Sequence, residues 1–63
     1  MFSERLKAIR KQKGFTQLKL AEKSGIAQSN ISFYEKGKFI PTIYSIECLC
    51  VALGVTATEL LGF

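Results

Sequence analysis

The hydrophobic positions of this chain recur every three or four residues, which is the spacing of one face of a helix. Near the start, Phe2, Leu6 and Ile9 form such a stripe, and polar or charged residues occupy most positions between them. No segment alternates apolar and polar residues over the length of a strand. The pattern therefore predicts an all-α fold, and the signals for helix starts and stops divide it into five helices.

Helix 1 is predicted from about Ser3 to Lys13. The Ser3 hydroxyl is expected to cap the first turn, and Glu4 suits the positive end of the helix dipole. Gly14 ends the helix, and Phe15 is expected to fill the core where the chain turns.

Two short helices follow, joined by a tight turn. Thr16 is expected to cap helix 2, over about Gln17–Lys23, and helix 3 is predicted over about Gln28–Glu35. Ala27 precedes helix 3 where Ser or Thr would cap better, so we expect a looser start unless water or Asn30 compensates.

The packing residues of this segment have the spacing of a helix-turn-helix. Ala21 is small where two steeply crossing helices approach, and Gly25, four residues later, allows a left-handed turn. Ile31 follows six residues after the glycine, and with Tyr34 it forms the buried edge of helix 3. This arrangement predicts a helix-turn-helix over about residues 16–37.

The second half of the chain predicts two further helices. Thr42 follows Pro41 and is expected to cap helix 4, which ends at Gly54. A capping box at Thr56–Glu59 starts a short helix 5, which has room to bury about one leucine. The predicted core face of helix 4 consists of Ile43, Ile46, Leu49, Cys50 and Leu53.

A set of residues across nearly the whole chain forms a known pattern: Thr16-Gln17, Leu20-Ala21, Gly25, Gln28-Ser29, Ile31-Ser32, Glu35, Gly37, Pro41-Thr42, Ala52-Leu53-Gly54-Val55 and Glu59-Leu60. With these residues the chain resembles the XRE family, the helix-turn-helix domains of the lambdoid phage repressors and Cro proteins. The resemblance implies one domain over residues 1–63 with the compact five-helix, lambda repressor-like fold.

Charge is divided unevenly along the chain, whose net charge is +4. All nine Lys and Arg lie between Arg5 and Lys38, so residues 1–38, with three glutamates, carry +6. Residues 39–63 carry −2 and are largely apolar. Since the basic half contains the helix-turn-helix, we interpret it as an anion-binding half on an apolar support.

Nothing in the sequence indicates catalysis, a cofactor, a metal or a small-molecule ligand. The chain lacks His and Asp, and Cys48 and Cys50 lie two residues apart on a predicted helix, so they cannot bridge each other. Buried free thiols suit a reducing compartment, which predicts a cytoplasmic protein, and the resemblance implies a bacterial or phage origin. No signal peptide and no apolar run long enough to span a bilayer is present.

Four residues of helix 3 are the candidates for reading DNA bases. An amide such as that of Gln28 can both donate to and accept from adenine in the major groove. Phe33 has no obvious place in the core, so its ring is expected to contact thymine methyl groups, although a core or dimer role is the alternative. Ser29 and Ser32 are lesser candidates, or ordinary surface hydroxyls.

The resemblance also implies contacts to the DNA backbone and a structural ion pair. In the resembled repressors, residues matching Gln17 and Gln28 work together: the first binds phosphate and braces the second. Residues matching Arg10 and Glu35 form a partly buried ion pair that fixes the recognition helix. The predicted backbone contacts are Thr16, Gln17, Asn30, Lys36, Lys38 and Arg10.

We therefore predict a sequence-specific, double-stranded DNA-binding transcriptional regulator, most simply a repressor, that binds a palindromic operator as a homodimer. The predicted dimer interface consists of Leu61, Phe63, Phe39 and Ile40. The alternatives are a restriction–modification controller or an antitoxin of the same fold, and a protein-interaction module. The last would use an apolar patch of Phe33, Phe39, Ile40 and Phe63.

Overall fold

The computed structural model describes residues 1–63, and helices are their only regular secondary structure. The predicted all-α fold is confirmed, and the predicted number of helices with it. None of the helices has the length and apolar character needed to cross a membrane. The helices are α1 (Phe2–Gln12), α2 (Gln17–Ser24), α3 (Gln28–Glu35), α4 (Ile43–Leu53) and α5 (Ala57–Leu61).

Three threonines start three of the helices as predicted. The hydroxyls of Thr16, Thr42 and Thr56 each accept a hydrogen bond from the backbone N–H three residues later, at 3.0–3.1 Å. Glu59 completes the capping box, since its carboxylate accepts from the Thr56 N–H at 3.0 Å. These bonds satisfy amides that have no partner within the helix.

The start of α1 differs from the prediction. The helix begins at Phe2, Met1 is its N-cap, and no side chain caps it, so the predicted cap at Ser3 is wrong. The ring of Phe2 packs edge-on against Tyr34 of α3, with the ring centroids 6.1 Å apart. We attribute the earlier start to this tertiary contact, which places Ser3 inside the first helical turn.

Each helix contributes one fully buried side chain to the core. Leu6, Leu20, Ile31, Leu49 and Leu60 come from α1 to α5 in order, and each is 0% exposed. The core therefore requires all five helices at once, as expected for a domain of this size. Within it α3 packs on α1 and α2, while α4 packs on α2 and α5.

Two predictions about α4 need correction. Ile43 was expected in the core, but it is 79% exposed, because it lies in the first turn at the edge of the apolar stripe. Cys48 and Cys50 are free thiols as predicted, but they are half-buried and not buried. Partial burial and the nearby carboxylates of Glu47 and Glu59 raise the pKa of Cys50, which keeps its thiol protonated at neutral pH.

The ends of the chain are joined by a contact that the sequence did not indicate. Arg5 of α1 donates two hydrogen bonds to the backbone carbonyl of Glu59 in α5, one of them from Nε at 3.1 Å. Gly62, at φ 83°, lies directly beneath this guanidinium, and a Cβ there would be 2.8 Å from Arg5 Cδ. The side chain of Arg5 thus fixes α5 on α1.

Candidate nucleic-acid interface

The turn between α2 and α3 sets the direction of the predicted recognition helix. Gly25 adopts φ 76°, and its N–H bonds to the carbonyl of Ala21 at 2.9 Å, which ends α2. Ile31 and Tyr34 then anchor α3, and the Tyr34 hydroxyl bonds to that of Ser45 on α4 at 3.1 Å. One edge of α3 is therefore fixed, and the opposite edge is free.

Three of the four residues predicted to read bases lie on or beside the free edge of α3, and Gln28 lies at the N-terminal end of the helix. At 3.6 residues per turn, Ser29 and Phe33 lie on the line opposite the buried Ile31. Gln28 and Ser29 are exposed, and Ser32 is half-buried at the side of this face. Together, the N-terminal end and the outer face of α3 thus offer an amide, two hydroxyls and one aromatic ring.

Phe33 is half-buried without being part of the core. Its ring packs against Phe39 of the following loop, with centroids 4.8 Å apart and the ring planes tilted by 51°. It is absent from the core cluster and from the residues packed around that cluster. The ring thus lies on the outer face of α3, covered in part by the loop.

The predicted ion pair between Arg10 and Glu35 is present and buried. Arg10 Nε donates to Glu35 Oε2 at 2.6 Å, and Nη2 donates to Oε1 at 3.1 Å. The two side chains are 9% and 3% exposed. A third donor, Nη1, bonds to the carbonyl of Phe15 at 2.8 Å and so also fixes the turn after α1.

Gln17 bonds to Glu35 within the domain, and its predicted brace on Gln28 in the presence of phosphate stays a prediction. Its Nε2 donates to Glu35 Oε1 at 3.0 Å, and no hydrogen bond joins it to Gln28. A carboxylate only accepts hydrogen bonds, so the buried Glu35 is stabilised by the donors around it, and Gln17 is one of them. The amide of Gln17 is consequently held with one N–H directed at Glu35.

Arg10 is not available as a contact to the DNA backbone. Arg10 is 8% exposed, and all three nitrogens of its guanidinium already donate to Glu35 or to the Phe15 carbonyl. The prediction that Arg10 also contacts phosphate is therefore wrong, and the role of Arg10 is structural. Glu35 is in turn neutralised, so it adds no repulsive charge at the end of α3.

The remaining predicted backbone contacts lie at the surface, at the start of α2, in α3 and in the loop after α3. Thr16 and Asn30 are exposed, at the start of α2 and in the first turn of α3. Lys36 and Lys38 are exposed in the loop after α3, on either side of Gly37, which adopts φ 74°. Neither lysine is paired with a carboxylate, so both charges remain open to an anion.

The predicted dimer residues are exposed to different degrees. Ile40 and Phe63 are 94% and 92% exposed, Phe39 is 47% exposed, and Leu61 is half-buried. As expected, α5 buries one leucine fully, and that is Leu60. Three further apolar residues that the prediction missed are largely exposed on α4: Ile43, Tyr44 and Val51.

Comparison with known proteins places this geometry in a family. A helix-turn-helix family model matches residues 6–60. The chain belongs to the helix-turn-helix family. The resemblance to its XRE branch, which the motif residues indicated, is thereby confirmed.

Individual relatives agree with this assignment. The chain is 34% identical to the immunity repressor protein of Bacillus phage phi105 over 59 residues, which are 94% of this chain and 41% of the phage protein. Across three curated relatives it spans 30–56% of their length.

Two solved structures have nearly the same backbone. The restriction–modification controller protein C.AhdI from Aeromonas hydrophila superimposes with a TM-score of 0.91 at 34% identity, covering 94% of this chain and 89% of that one. The biofilm regulator SinR in complex with DNA superimposes with a TM-score of 0.92 at 37% identity, covering 97% and 98% of the two chains.

Proposed function

We propose that this domain binds double-stranded DNA in a sequence-specific manner and acts in a bacterial or phage transcriptional regulator, most simply a repressor in the cytoplasm. The observation that carries the proposal is α3, which is anchored along one edge while its opposite edge presents polar side chains next to unpaired lysines. A helix of this kind fits the major groove, where base edges carry distinct donors and acceptors.

Base reading is assigned to the N-terminal end and the outer face of α3. Gln28 stands at the first turn, where the amide can form two hydrogen bonds to one adenine. Ser29 lies on the outermost line of the helix and Ser32 at its side, so each can reach a neighbouring base. Phe33 is the only apolar residue of the set.

Grip on the DNA backbone is assigned to residues around α3. Lys36 and Lys38 supply positive charge that attracts phosphates, and Thr16 and Asn30 supply uncharged donors. One N–H of the Gln17 amide donates to Glu35, and the second N–H remains available to a phosphate. The bond to Glu35 thus orients the amide for its contact with DNA.

Binding to a palindromic operator calls for two copies of the domain. We propose that they meet through Leu61, Phe63 and Ile40, whose apolar surfaces the core leaves exposed or half-exposed. Half-sites about one helical turn apart would then place two copies of α3 in successive major grooves. The contact is small, so we expect it to be weak in free protein and strong on DNA.

A second candidate is a module that docks on another protein. The exposed apolar residues on α4, Ile43, Tyr44 and Val51, favour it, because the residues from 39 onward carry no positive charge that could attract DNA. The backbone match to C.AhdI also keeps a restriction–modification controller among the regulator classes.

Selection of bound duplexes from a random pool tests the main proposal. We expect one enriched palindromic sequence, and an affinity that falls steeply with salt because phosphate binding releases counterions. Binding that shows no enriched sequence would contradict the proposal. Capture of a protein with little dependence on salt would instead support the docking module.

A further inference from the structure

The aromatic ring of Phe33 lies on the side of α3 that faces away from the core. It lies opposite Ile31 and takes no part in the core or in the layer packed around it. A single surface apolar residue would need no explanation, but Phe33 packs against Phe39, and an apolar patch rimmed by polar residues is typical of a contact site.

The loop after α3 holds this ring in a defined place. The N–H of Lys38 bonds to the carbonyl of Phe33 at 2.9 Å, and the N–H of Gly37 bonds to that of Tyr34 at 3.1 Å. These bonds turn the chain back along α3 and bring Phe39 against Phe33. Phe39 remains 47% exposed, so the pair forms a small apolar surface at the end of the recognition helix.

The surroundings of the pair restrict what it can contact. Exposed hydroxyl and amide groups precede it along the helix, and Lys36 and Lys38 flank it in the loop. A matching partner must therefore present an apolar group close to negative charge. At the base edges of the major groove, the apolar group is the C5 methyl of thymine, and phosphates border the groove on both sides.

We propose that Phe33 recognises the 5-methyl group of a pyrimidine at one position of each half-site, and that Phe39 is a positioning residue that holds the ring there. This inference rests on the proposed DNA binding and adds the chemical group that Phe33 recognises. An apolar ring detects the methyl group of the base and not its hydrogen-bonding atoms. Since 5-methylcytosine carries the same methyl group at the same edge, the domain should distinguish methylated from unmethylated cytosine.

Base analogues test this without any change to the protein. In the duplex selected from the random pool, each thymine is replaced in turn by deoxyuridine, which lacks only the methyl group. We expect one position per half-site at which the replacement weakens binding about fourfold, the value for burying one methyl-sized group. Cytosine at that position should bind more weakly than 5-methylcytosine by a similar factor.

Protein variants then assign the effect to the two rings. In Phe33→Ser the ratio between thymine and deoxyuridine duplexes should fall to about one, and Phe33→Leu should keep part of it. Phe39→Ser should lower the ratio while far-UV circular dichroism stays unchanged. Tyr44→Ser is the matched control, because it also removes an exposed ring but lies in α4, outside the proposed DNA and dimer contacts, and should leave the ratio unchanged.

The possible results separate this inference from the function beneath it. If a sequence is selected but deoxyuridine is tolerated at every position, methyl recognition is refuted while DNA binding stands. If Phe39→Ser leaves the ratio unchanged, the positioning role of Phe39 is refuted. If no sequence is enriched, both proposals fail together.

Discussion

Removal of Arg10 tests whether the buried network at the end of α3 holds the domain together. In Arg10→Met the apolar stem remains but the guanidinium is lost, so the Gln17 amide is the only remaining donor to Glu35. The Glu35 side chain is 3% exposed, which prevents rehydration without opening the junction of the helices. A buried charge left without its partner costs about 3–5 kcal/mol.

This loss is large relative to the whole stability of the domain. At about 0.05–0.15 kcal/mol per residue, a chain of this length is stable by roughly 3–9 kcal/mol. Arg10→Met should therefore bring the domain close to unfolding at room temperature. Arg10→Met combined with Glu35→Leu removes both charges and should recover at least half of the loss, since apolar replacements of buried ion pairs are often near neutral.

Urea unfolding followed by far-UV circular dichroism measures the effect, because the fold is all-α and the chain has no Trp. Wild type, both single variants and the double variant form a complete cycle. Lys11→Met is the matched control, an exposed basic residue in the same helix, and should change stability by less than about 0.5 kcal/mol. Losses that simply add in the double variant would refute the coupling.

Three further variants test the proposed DNA and dimer contacts, and a fourth tests the stability of α3. Gln28→Ala should weaken operator binding by about 1–3 kcal/mol and relax one base position, and an unchanged selected consensus would argue against direct reading by this amide. Lys38→Ala should weaken all duplexes alike and reduce the slope of log affinity against log salt by about one unit, as measured by titration at several salt concentrations. Leu61→Ser with Phe63→Ser should abolish cooperative binding to a full palindrome and leave binding to a single half-site intact, as measured by titration on both duplexes; loss of the fold in thermal melts would show that the half-buried Leu61 serves the core instead. Ala27→Thr should stabilise the domain by about 1 kcal/mol by capping α3, which lacks a side-chain cap, and no rise in the urea midpoint would contradict this.

Local signals in the sequence predicted most of the helix boundaries correctly. Thr16, Thr42 and Gly25 act within one turn of their own position, so the chemistry of each residue was sufficient. The start of α1 was missed because it depends on a contact between Phe2 and Tyr34, which are far apart in the chain.

The partners of the site residues were harder to predict than their positions. The ion pair of Arg10 with Glu35 followed from a family resemblance, and nothing in the local sequence around either residue indicates it. The bond from Gln17 to Glu35 was missed, because it depends on how two helices are placed in three dimensions. The pairing of Phe33 with Phe39 likewise arises from a loop that folds back, and six residues of sequence spacing do not predict it.

The division of α3 into an anchored edge and a free edge has a consequence for how such domains acquire new targets. The buried residues Ile31, Tyr34 and Glu35 anchor the helix to the rest of the domain. None of the four residues assigned to base reading contributes to the core. Substitutions at these four positions should therefore have little effect on the stability of the domain. A population of sequences can diversify the DNA that is bound while it keeps one backbone. The outer set that can be exchanged in this way is Gln28, Ser29, Ser32 and Phe33.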